Sequence, residues 1–190
     1  VLPTRTRQSG PILKSALRRS GTIKLPTLIG LYNPKSPENV GSVMRAAGCY
    51  QASAVRYTGE RFSRAVKYQT DTKNITSKIP LVQVSDLLTD LPEGTALVCV
   101  EFAEGATPLP QFEHPRHAFY VFGPEDGSLP QNMIDAADHV VFVPTVGCMN
   151  LAASVNVVLY DRLCKSTQAG NHEDLIKRSR DNNNRLVVNS

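Results

Sequence analysis

Short apolar runs alternate along most of the chain with segments of mixed or helical polarity. Six of these runs have the length and the β-branched or aromatic content of strands. Strands that alternate with helix-like segments predict an α/β fold with a mainly parallel, six-stranded sheet and helices on both faces. The predicted strands occupy residues 27–33, 52–57, 81–84, 96–102, 118–122 and 139–144.

The helices predicted between these strands lie at 38–49, 86–91, 131–137 and from about 149 onward. The last helix is apolar on nearly every side, so it must be buried against a core or a partner. Its first turn follows a tight loop that contains Gly147, a place where backbone donors can meet a ligand. Taken alone, its polar residues Asn150, Ser154 and Asn156 are better explained by hydrogen bonds inside a buried helix.

The composition is typical of one globular domain. The chain has 190 residues, of which 41% are hydrophobic and 20% charged, and no apolar run is long enough to span a bilayer. Its 4 cysteines include no CxxC pair, which is typical of reduced thiols. Residues 1–26 lack the apolar core of a signal peptide. We therefore expect a cytoplasmic protein that does not associate with membranes.

Positive charge is concentrated outside the apolar runs. The formal net charge of +4 permits a polyanionic partner without requiring one. Residues 1–26 form a basic arm with no acidic residue, which either reaches toward phosphates or is a solvated tail. Residues 59–78 place basic side chains beside Phe62 and Tyr68, which suits RNA contacts, although a solvated connector explains each single residue better. Residues 166–190 form a polar tail, for which we expect poor order.

Several common kinds of site are absent from the sequence. No GxGxxG follows the first strand, and neither GxxxxGK[ST] nor GxSxG occurs. His114 and His117 lack a cysteine cluster that would complete a zinc site, so we expect no metal. Because parallel sheets bind ligands beyond the carboxyl ends of their strands, the loops 33–41, 123–130 and 144–150 form the candidate site.

Three segments in these loops resemble the motifs of one enzyme family. Pro37–Ala47 contains an Asn-Val-Gly sequence and an arginine, Phe122–Leu129 contains Gly-Pro-Glu, and Val143–Val155 contains Cys-Met-Asn. In residue type, order and separation these segments are similar to the three motifs of the SpoU/TrmH-type RNA methyltransferases, which belong to the SPOUT superfamily. The resemblance extends over residues 27–165, which we expect to form the methyltransferase domain.

The resemblance implies a function and a topology. It implies that the protein transfers a methyl group from S-adenosyl-L-methionine to a ribose 2′-hydroxyl of tRNA or rRNA. It also implies a homodimer that binds RNA, and a deep C-terminal trefoil knot in which the last helix passes through a loop of the chain. The basic arm and residues 59–78 are then candidates for contact with the substrate.

The same resemblance implies a set of site residues. Arg45 is the principal catalytic residue, and Asn39 lies with it at the reacting end. Because a guanidinium is a costly base, Arg45 either accepts the hydroxyl proton or clamps the adjacent phosphate and orients the ribose. The implied cofactor-binding residues are Phe102, Gly123, Glu125, Val143, Cys148, Met149 and Asn150.

Two residues of the third segment depart from the family pattern. Cys148 stands where the family commonly has serine, and Ala152 replaces a second serine. These departures support a rival hypothesis, a non-catalytic RNA-binding protein that retains the fold, whereas intact Asn39, Arg45 and Asn150 favour an enzyme. A different nucleotide-binding α/β protein is disfavoured because no glycine loop cradles phosphate. The third loop also looks shorter than in members that modify the tRNA wobble position, which makes that substrate doubtful.

Overall fold

One parallel sheet organises the residues that the structure describes. In the computed structural model these are residues 27–66, 79–166, 176 and 185–188. Seven strands pair in the order β3-β2-β1-β6-β4-β7-β5, and all six pairings are parallel. The strands are β1 (Thr27–Leu31), β2 (Ala54–Tyr57), β3 (Leu81–Gln83), β4 (Ala96–Val100), β5 (Thr107–Pro108), β6 (Ala118–Phe122) and β7 (His139–Phe142).

The predicted α/β class and parallel sheet are confirmed, but the prediction of six strands is wrong. The additional strand, β5, has only two residues, which pair with Val141 and Phe142 of β7. It lies at the edge of the sheet and contains a proline, which an edge strand tolerates. So short a strand produces no apolar run, and the hydrophobic pattern therefore did not predict it.

Among the described residues, four α-helices accompany the sheet: α1 (Pro37–Cys49), α2 (Arg61–Val66), α3 (Gln131–Asp135) and α4 (Leu151–Lys165). The helix predicted at 86–91 is wrong, because this segment forms turns. The Asp86 carboxylate accepts a hydrogen bond from the backbone N–H of Leu88 at 2.9 Å, and Asp90 has a φ of 53°. Such local side-chain bonds compete with helix formation, and a residue with positive φ cannot continue a helix.

Helices cover both faces of the sheet, as predicted. Along β6, Tyr120 and Phe122 pack into the core on one face, where α1 and α4 lie. Phe119 and Val121 point to the other face and join a second cluster, with Met133 of α3 and the leucines of the 87–91 turn. This alternation follows from the two-residue period of a strand and explains why β6 is buried throughout.

The beginning and the end of α1 have local causes. Ser36 caps the helix by accepting a hydrogen bond from Asn39 N–H at 3.2 Å, and Pro37 occupies the first turn, where a missing N–H costs nothing. Its buried residues face α4. Gln51, directly after the cap at Tyr50, has a φ of 57°, which ends the helical path.

The last strand and the last helix are inserted among earlier parts of the chain. β7 lies between β4 and β5, so the 101–106 connection of these two strands must cross it. α4 then packs on α1, while its C-terminal half binds the segment 109–116. Lys165 Nζ donates to the carbonyl oxygens of Leu109 at 2.6 Å and Phe112 at 3.1 Å. The helix is therefore held on two sides.

Some predicted regions lie wholly or largely outside the described residues. The basic arm 1–26, residues 67–78 of the predicted RNA-contacting segment and most of the tail 166–190 belong to them. Among the residues that are described, no helix combines the length and apolar character that a membrane crossing requires.

Candidate active site

A cavity of about 150 Å³ opens at the carboxyl ends of β4, β6 and β7. This is the edge at which parallel sheets bind ligands. The structure brings six of the seven predicted cofactor-binding residues to the wall of this cavity, while Asn150 lies just behind it at the start of α4. The six residues are Phe102, Gly123, Glu125, Val143, Cys148 and Met149.

Aromatic side chains form an apolar side of the cavity. The rings of Phe102 and Phe142 lie 5.7 Å apart between centroids, with a tilt of 45°. Phe102 remains 54% exposed, although it is large and apolar. An exposed aromatic ring beside a cavity is suited to cover the apolar face of a ligand such as a nucleobase.

Gly123 lies at the end of β6, close to the Glu101 side chain. A Cβ atom at this position would lie 3.1 Å from Oε2 of Glu101 and 3.4 Å from the backbone nitrogen of Leu129. Only the first contact is tighter than an ordinary van der Waals contact, so a larger residue would push the Glu101 carboxylate out of its place. The glycine therefore allows β4 and the loop that follows β6 to approach each other at the cavity wall.

The Glu125 carboxylate joins the second loop to the start of α1. It accepts hydrogen bonds from Lys35 N–H at 2.8 Å, from Ser36 N–H at 3.0 Å and from Asn39 Nδ2 at 3.0 Å. Burial raises the pKa of Glu125, but these hydrogen bonds outweigh burial and hold the pKa below its ordinary value. Glu125 is therefore a carboxylate at neutral pH, next to the positive end of a helix dipole.

Asn39 and Asn150 extend this connection to the third loop. Asn150 Nδ2 donates to Asn39 Oδ1 at 2.8 Å. The side-chain oxygen of Asn150 also caps α4, accepting hydrogen bonds from Ala152 N–H at 2.9 Å and Ala153 N–H at 3.3 Å. One polar network, Glu125–Asn39–Asn150, thus connects the three segments that the sequence singled out.

Arg45 does not line the cavity. It lies on α1 with an exposed side chain, and no described residue forms a hydrogen bond or an ion pair with its guanidinium. A guanidinium with no partner among the described residues is available to a ligand that carries an acidic group, and it can bind such a group with two parallel hydrogen bonds.

The sequence interpretation missed Glu101, a second carboxylate in the cavity wall. Its Oε2 atom accepts a hydrogen bond from Leu129 N–H at 2.8 Å, and Oε1 accepts one from Phe102 N–H at 3.0 Å. A signal was present, because Glu101 is the first charged residue after the apolar run of β4. It was overlooked because it belongs to none of the three motif segments.

The sequence interpretation also did not predict the ion pair between Asp126 and Arg61. The Arg61 guanidinium donates to both carboxylate oxygens of Asp126, at 2.8 and 2.9 Å, and Lys35 Nζ lies 3.6 Å from Oδ2. The hydrogen bond from Arg61 lowers the pKa of Asp126. This pair joins α2 to the second loop, so the helix that leads into residues 67–78 is attached to the candidate site.

A second cavity, of about 840 Å³, lies away from the candidate site, beside the C-terminal half of α4. It contains no predicted catalytic or cofactor-binding residue. The buried His114 side chain beside it contacts Tyr120 OH at 2.6 Å and Asp161 Oδ2 at 2.8 Å. Burial lowers the pKa of His114, although the hydrogen bond with Asp161 raises it in part.

In the described ranges no cluster of three or more His, Cys, Asp or Glu could hold a metal ion.

Comparison with known families identifies the chain. The profile of the SpoU rRNA Methylase family matches residues 26–160, well over half of the sequence. The chain belongs to the SpoU family. The SpoU/TrmH assignment made from the three motif segments is thereby confirmed. No match is found among curated proteins.

Several solved structures share the fold of this SpoU chain at low sequence identity. The SpoU methyltransferase AviRb from Streptomyces viridochromogenes, in complex with AdoMet, is 19% identical with a TM-score of 0.60, over 78% of this chain and 61% of AviRb. The A. aeolicus TrmH/SpoU tRNA modifying enzyme is 14% identical with a TM-score of 0.59, over 73% and 74% of the two chains. A structure that concerns 2-OH methylation of C/U34 on tRNA is 19% identical with a TM-score of 0.62, over 82% of this chain and 98% of the other.

Proposed function

We propose that this SpoU protein is an S-adenosylmethionine-dependent methyltransferase that modifies a ribose 2′-hydroxyl of tRNA or rRNA. The observation that carries the proposal is the Glu125–Asn39–Asn150 network, which unites the three motif segments beside one cavity. The intact network disfavours the rival hypothesis, a non-catalytic RNA-binding protein. Family membership and the AdoMet complex of the similar AviRb structure support the choice of cofactor.

The cavity wall suits S-adenosylmethionine chemically. Phe102, Val143 and Met149 provide apolar surface for the adenine, and the carboxylates of Glu101 and Glu125 suit a ligand with hydroxyl groups and positive charge. When bound, the cofactor supplies a methyl group activated on a sulfonium. Cys148 and the backbone at Gly123 complete the wall. The cavity volume is below the range of about 300 Å³ upward that is usual for ligand pockets, so we expect the loop 144–149 to rearrange when the cofactor binds.

Arg45 and Asn39 would act on the substrate. A ribose hydroxyl is a poor nucleophile, so the protein must place it in line with the methyl donor and let its proton leave. Because a guanidinium is a costly base, we assign Arg45 to clamp the phosphate next to the modified ribose, with the proton passing to phosphate or water. Asn39 is held between Glu125 and Asn150 and fixes the third loop beside this point.

Positive charges near the cavity favour an RNA substrate. Arg45 lies on α1, and Lys35 and Arg61 lie at the carboxyl edge of the sheet, where the two cations share the single carboxylate of Asp126 and so leave a net positive charge. Phosphate binding by such residues releases counterions from RNA. We assign the basic arm 1–26 and the segment that follows α2 to further RNA contacts.

The SpoU chain would act as a homodimer. On α4, Tyr160 is 58% exposed and Leu163 is 51% exposed, although both side chains are large and apolar. The two side chains continue the surface of Tyr50, which is half-buried. A second copy that covers this face would shield it from water. It could also bring RNA-binding residues to the active site.

We also assign the deep trefoil knot to this chain. The 101–106 connection must cross β7, and α4 is enclosed between α1 and the segment 109–116. In the proposed knot, α4 passes through the loop that joins β4 to β6, a rare exception to the rule that chains do not thread loops. An experimental structure whose backbone path contains no knot, so that the chain would straighten fully when its two ends are pulled apart, would contradict this proposal.

Binding and methyl-transfer assays test the proposed function. We expect calorimetry to detect S-adenosylmethionine binding, and labelled cofactor to transfer its methyl group to tRNA or rRNA transcripts. Arg45→Ala should lower the rate at least 100-fold with little change in cofactor affinity, because the arginine acts on the RNA. Arg45→Lys should retain only a small part of the wild-type rate, since lysine cannot bind a phosphate with two parallel hydrogen bonds as the planar guanidinium does.

Arg116→Ala is the matched control, because this arginine is also exposed but lies beside the second cavity, away from the candidate site. It should keep the wild-type rate. A wild-type protein that binds no S-adenosylmethionine would overturn the enzyme hypothesis. RNA binding without methyl transfer would instead establish the non-catalytic alternative, and near-full activity of Arg45→Lys would rule out the phosphate clamp.

A further inference from the structure

The two carboxylates in the cavity wall differ in how many of their acceptor sites are used. Glu125 accepts three hydrogen bonds from the chain, all at the start of α1. Glu101 accepts two, one at each carboxylate oxygen. Because an ionised carboxylate has about four acceptor sites, each oxygen of Glu101 retains the capacity for one more hydrogen bond.

The position of the Glu101 carboxylate is fixed before any ligand binds. The backbone N–H groups of Phe102 and Leu129 hold one oxygen each, at 3.0 and 2.8 Å. Gly123 leaves the space that Oε2 occupies, since a Cβ there would lie 3.1 Å away. A carboxylate held in this way loses little conformational entropy when it binds a ligand.

We propose that Glu101 is a further cofactor-binding residue, which accepts hydrogen bonds from the ribose hydroxyls of S-adenosylmethionine. The inference rests on the proposed function. Two neighbouring hydroxyl groups match two carboxylate oxygens that each have a free acceptor site. The placement favours the ribose over the ammonium group, because Glu101 is adjacent to Phe102, which provides the apolar surface for the adenine. The ribose is attached directly to that base.

Cofactor analogues that lack one hydroxyl test this contact. S-adenosylhomocysteine and its 2′-deoxy and 3′-deoxy forms are titrated into wild-type protein by calorimetry. Loss of a hydrogen bond to a charged acceptor should weaken binding of at least one deoxy form by about 10- to 100-fold. Glu101→Gln should weaken the binding of S-adenosylhomocysteine by a similar factor. The variant should also bind S-adenosylhomocysteine and that deoxy form with equal affinity, because the substitution and the loss of the hydroxyl remove the same hydrogen bond.

Glu104→Gln is the matched control, since Glu104 is exposed on the same connection but does not line the cavity. It should bind all three compounds as the wild type does. Equal affinity of the wild type for the three compounds would overturn the inference, and this comparison needs no variant that must fold. An unchanged affinity of Glu101→Gln for S-adenosylhomocysteine would overturn it too.

Ammonium recognition and failure of the proposed function give different results. The compound 5′-methylthioadenosine has the ribose but lacks the amino acid. If Glu101→Gln lowers the affinity for S-adenosylhomocysteine but not for 5′-methylthioadenosine, then Glu101 binds the ammonium and the ribose assignment is wrong. A wild type that binds neither compound would overturn the proposed function together with this inference. A wild type that binds them without sensitivity to the hydroxyls overturns the inference alone.

Discussion

At the scale of single residues, Glu125 couples the parts of the candidate site. Its carboxylate accepts hydrogen bonds from two backbone N–H groups before α1 and from Asn39, which in turn accepts one from Asn150. Hydrogen bonds to a charged group are stronger than those between neutral groups. Glu125 therefore has a structural role in addition to its place in the cavity wall.

The lowered pKa of Glu125 predicts a specific dependence of stability on pH. Its native pKa lies below that of the unfolded chain, which is about 4.3 for a glutamate. The stabilisation is therefore fully present above this value and is lost as the pH falls through the native pKa. We expect Glu125→Gln to lower the free energy of unfolding at pH 7, and the difference from wild type to shrink progressively below about pH 4.3.

Urea unfolding at a series of pH values measures this difference. Glu104→Gln is again the control, because the exposed Glu104 lies outside the network and should show no such trend. A difference between Glu125→Gln and wild type that stays constant from pH 7 to strongly acidic conditions would mean that ionisation of Glu125 does not stabilise the fold.

At the scale of elements, α4 is held at both ends by polar contacts. Asn150 caps its first turn. Near the other end, Arg162 donates to the carbonyl oxygens of Pro115 at 2.7 Å and Arg116 at 2.8 Å, and to Tyr120 OH at 3.1 Å. These bonds connect the helix to the segment before β6, so the end of α4 that borders the cavity is positioned partly from its far end.

Arg162→Ala should destabilise the protein by about 1–3 kcal/mol, because two carbonyl oxygens and a buried tyrosine lose their donor. We expect faster hydrogen exchange in the last turns of α4 and a lower urea midpoint. Arg116→Ala is the matched control, since Arg116 accepts the hydrogen bond from Arg162 through its backbone carbonyl, which the substitution retains. Equal stability of the two variants would show that the Arg162 bonds do not hold the helix.

At the scale of the whole molecule, the exposed apolar face of α4 predicts the state of assembly. Tyr160 and Leu163 lie next to each other on the surface of α4, three residues apart, beyond the buried core residues Val155 and Leu159 in the chain. A charge placed on this face would be desolvated in the proposed dimer but would remain hydrated in a monomer.

Leu163→Glu should therefore convert the dimer to a monomer in analytical ultracentrifugation. We expect methyl transfer to fall, because the partner would no longer help to bind RNA. Val82→Glu is the matched control, because Val82 is another exposed apolar residue, at 44%, on a different part of the surface. It should leave the sedimentation of the protein unchanged. A wild-type protein that sediments as a monomer at assay concentrations would contradict the proposed dimer.

Much of the fold was predictable because it depends on local patterns. The predicted strand 118–122 coincides with β6, and the predicted helix 38–49 differs from α1 by one residue. Apolar runs and helical periodicity reflect burial that each segment needs by itself. The prediction was wrong at 86–91, where side-chain bonds to the backbone compete with the helix, and at β5, whose pairing depends on its neighbour rather than on its own residues.

The sequence by itself determined the class of fold, the family and the three loops that carry its motifs. Only the tertiary structure decided which side chains meet. The hydrogen bonds of Asn39 with Glu125 and Asn150 span 86 and 111 positions of the chain, and the hydrogen bond between Leu129 and Glu101 spans 28 positions. Such contacts depend on the order β1-β6-β4-β7 in the sheet, which brings distant loops to one edge. No local pattern encodes that order, because it results from the packing of all the elements together.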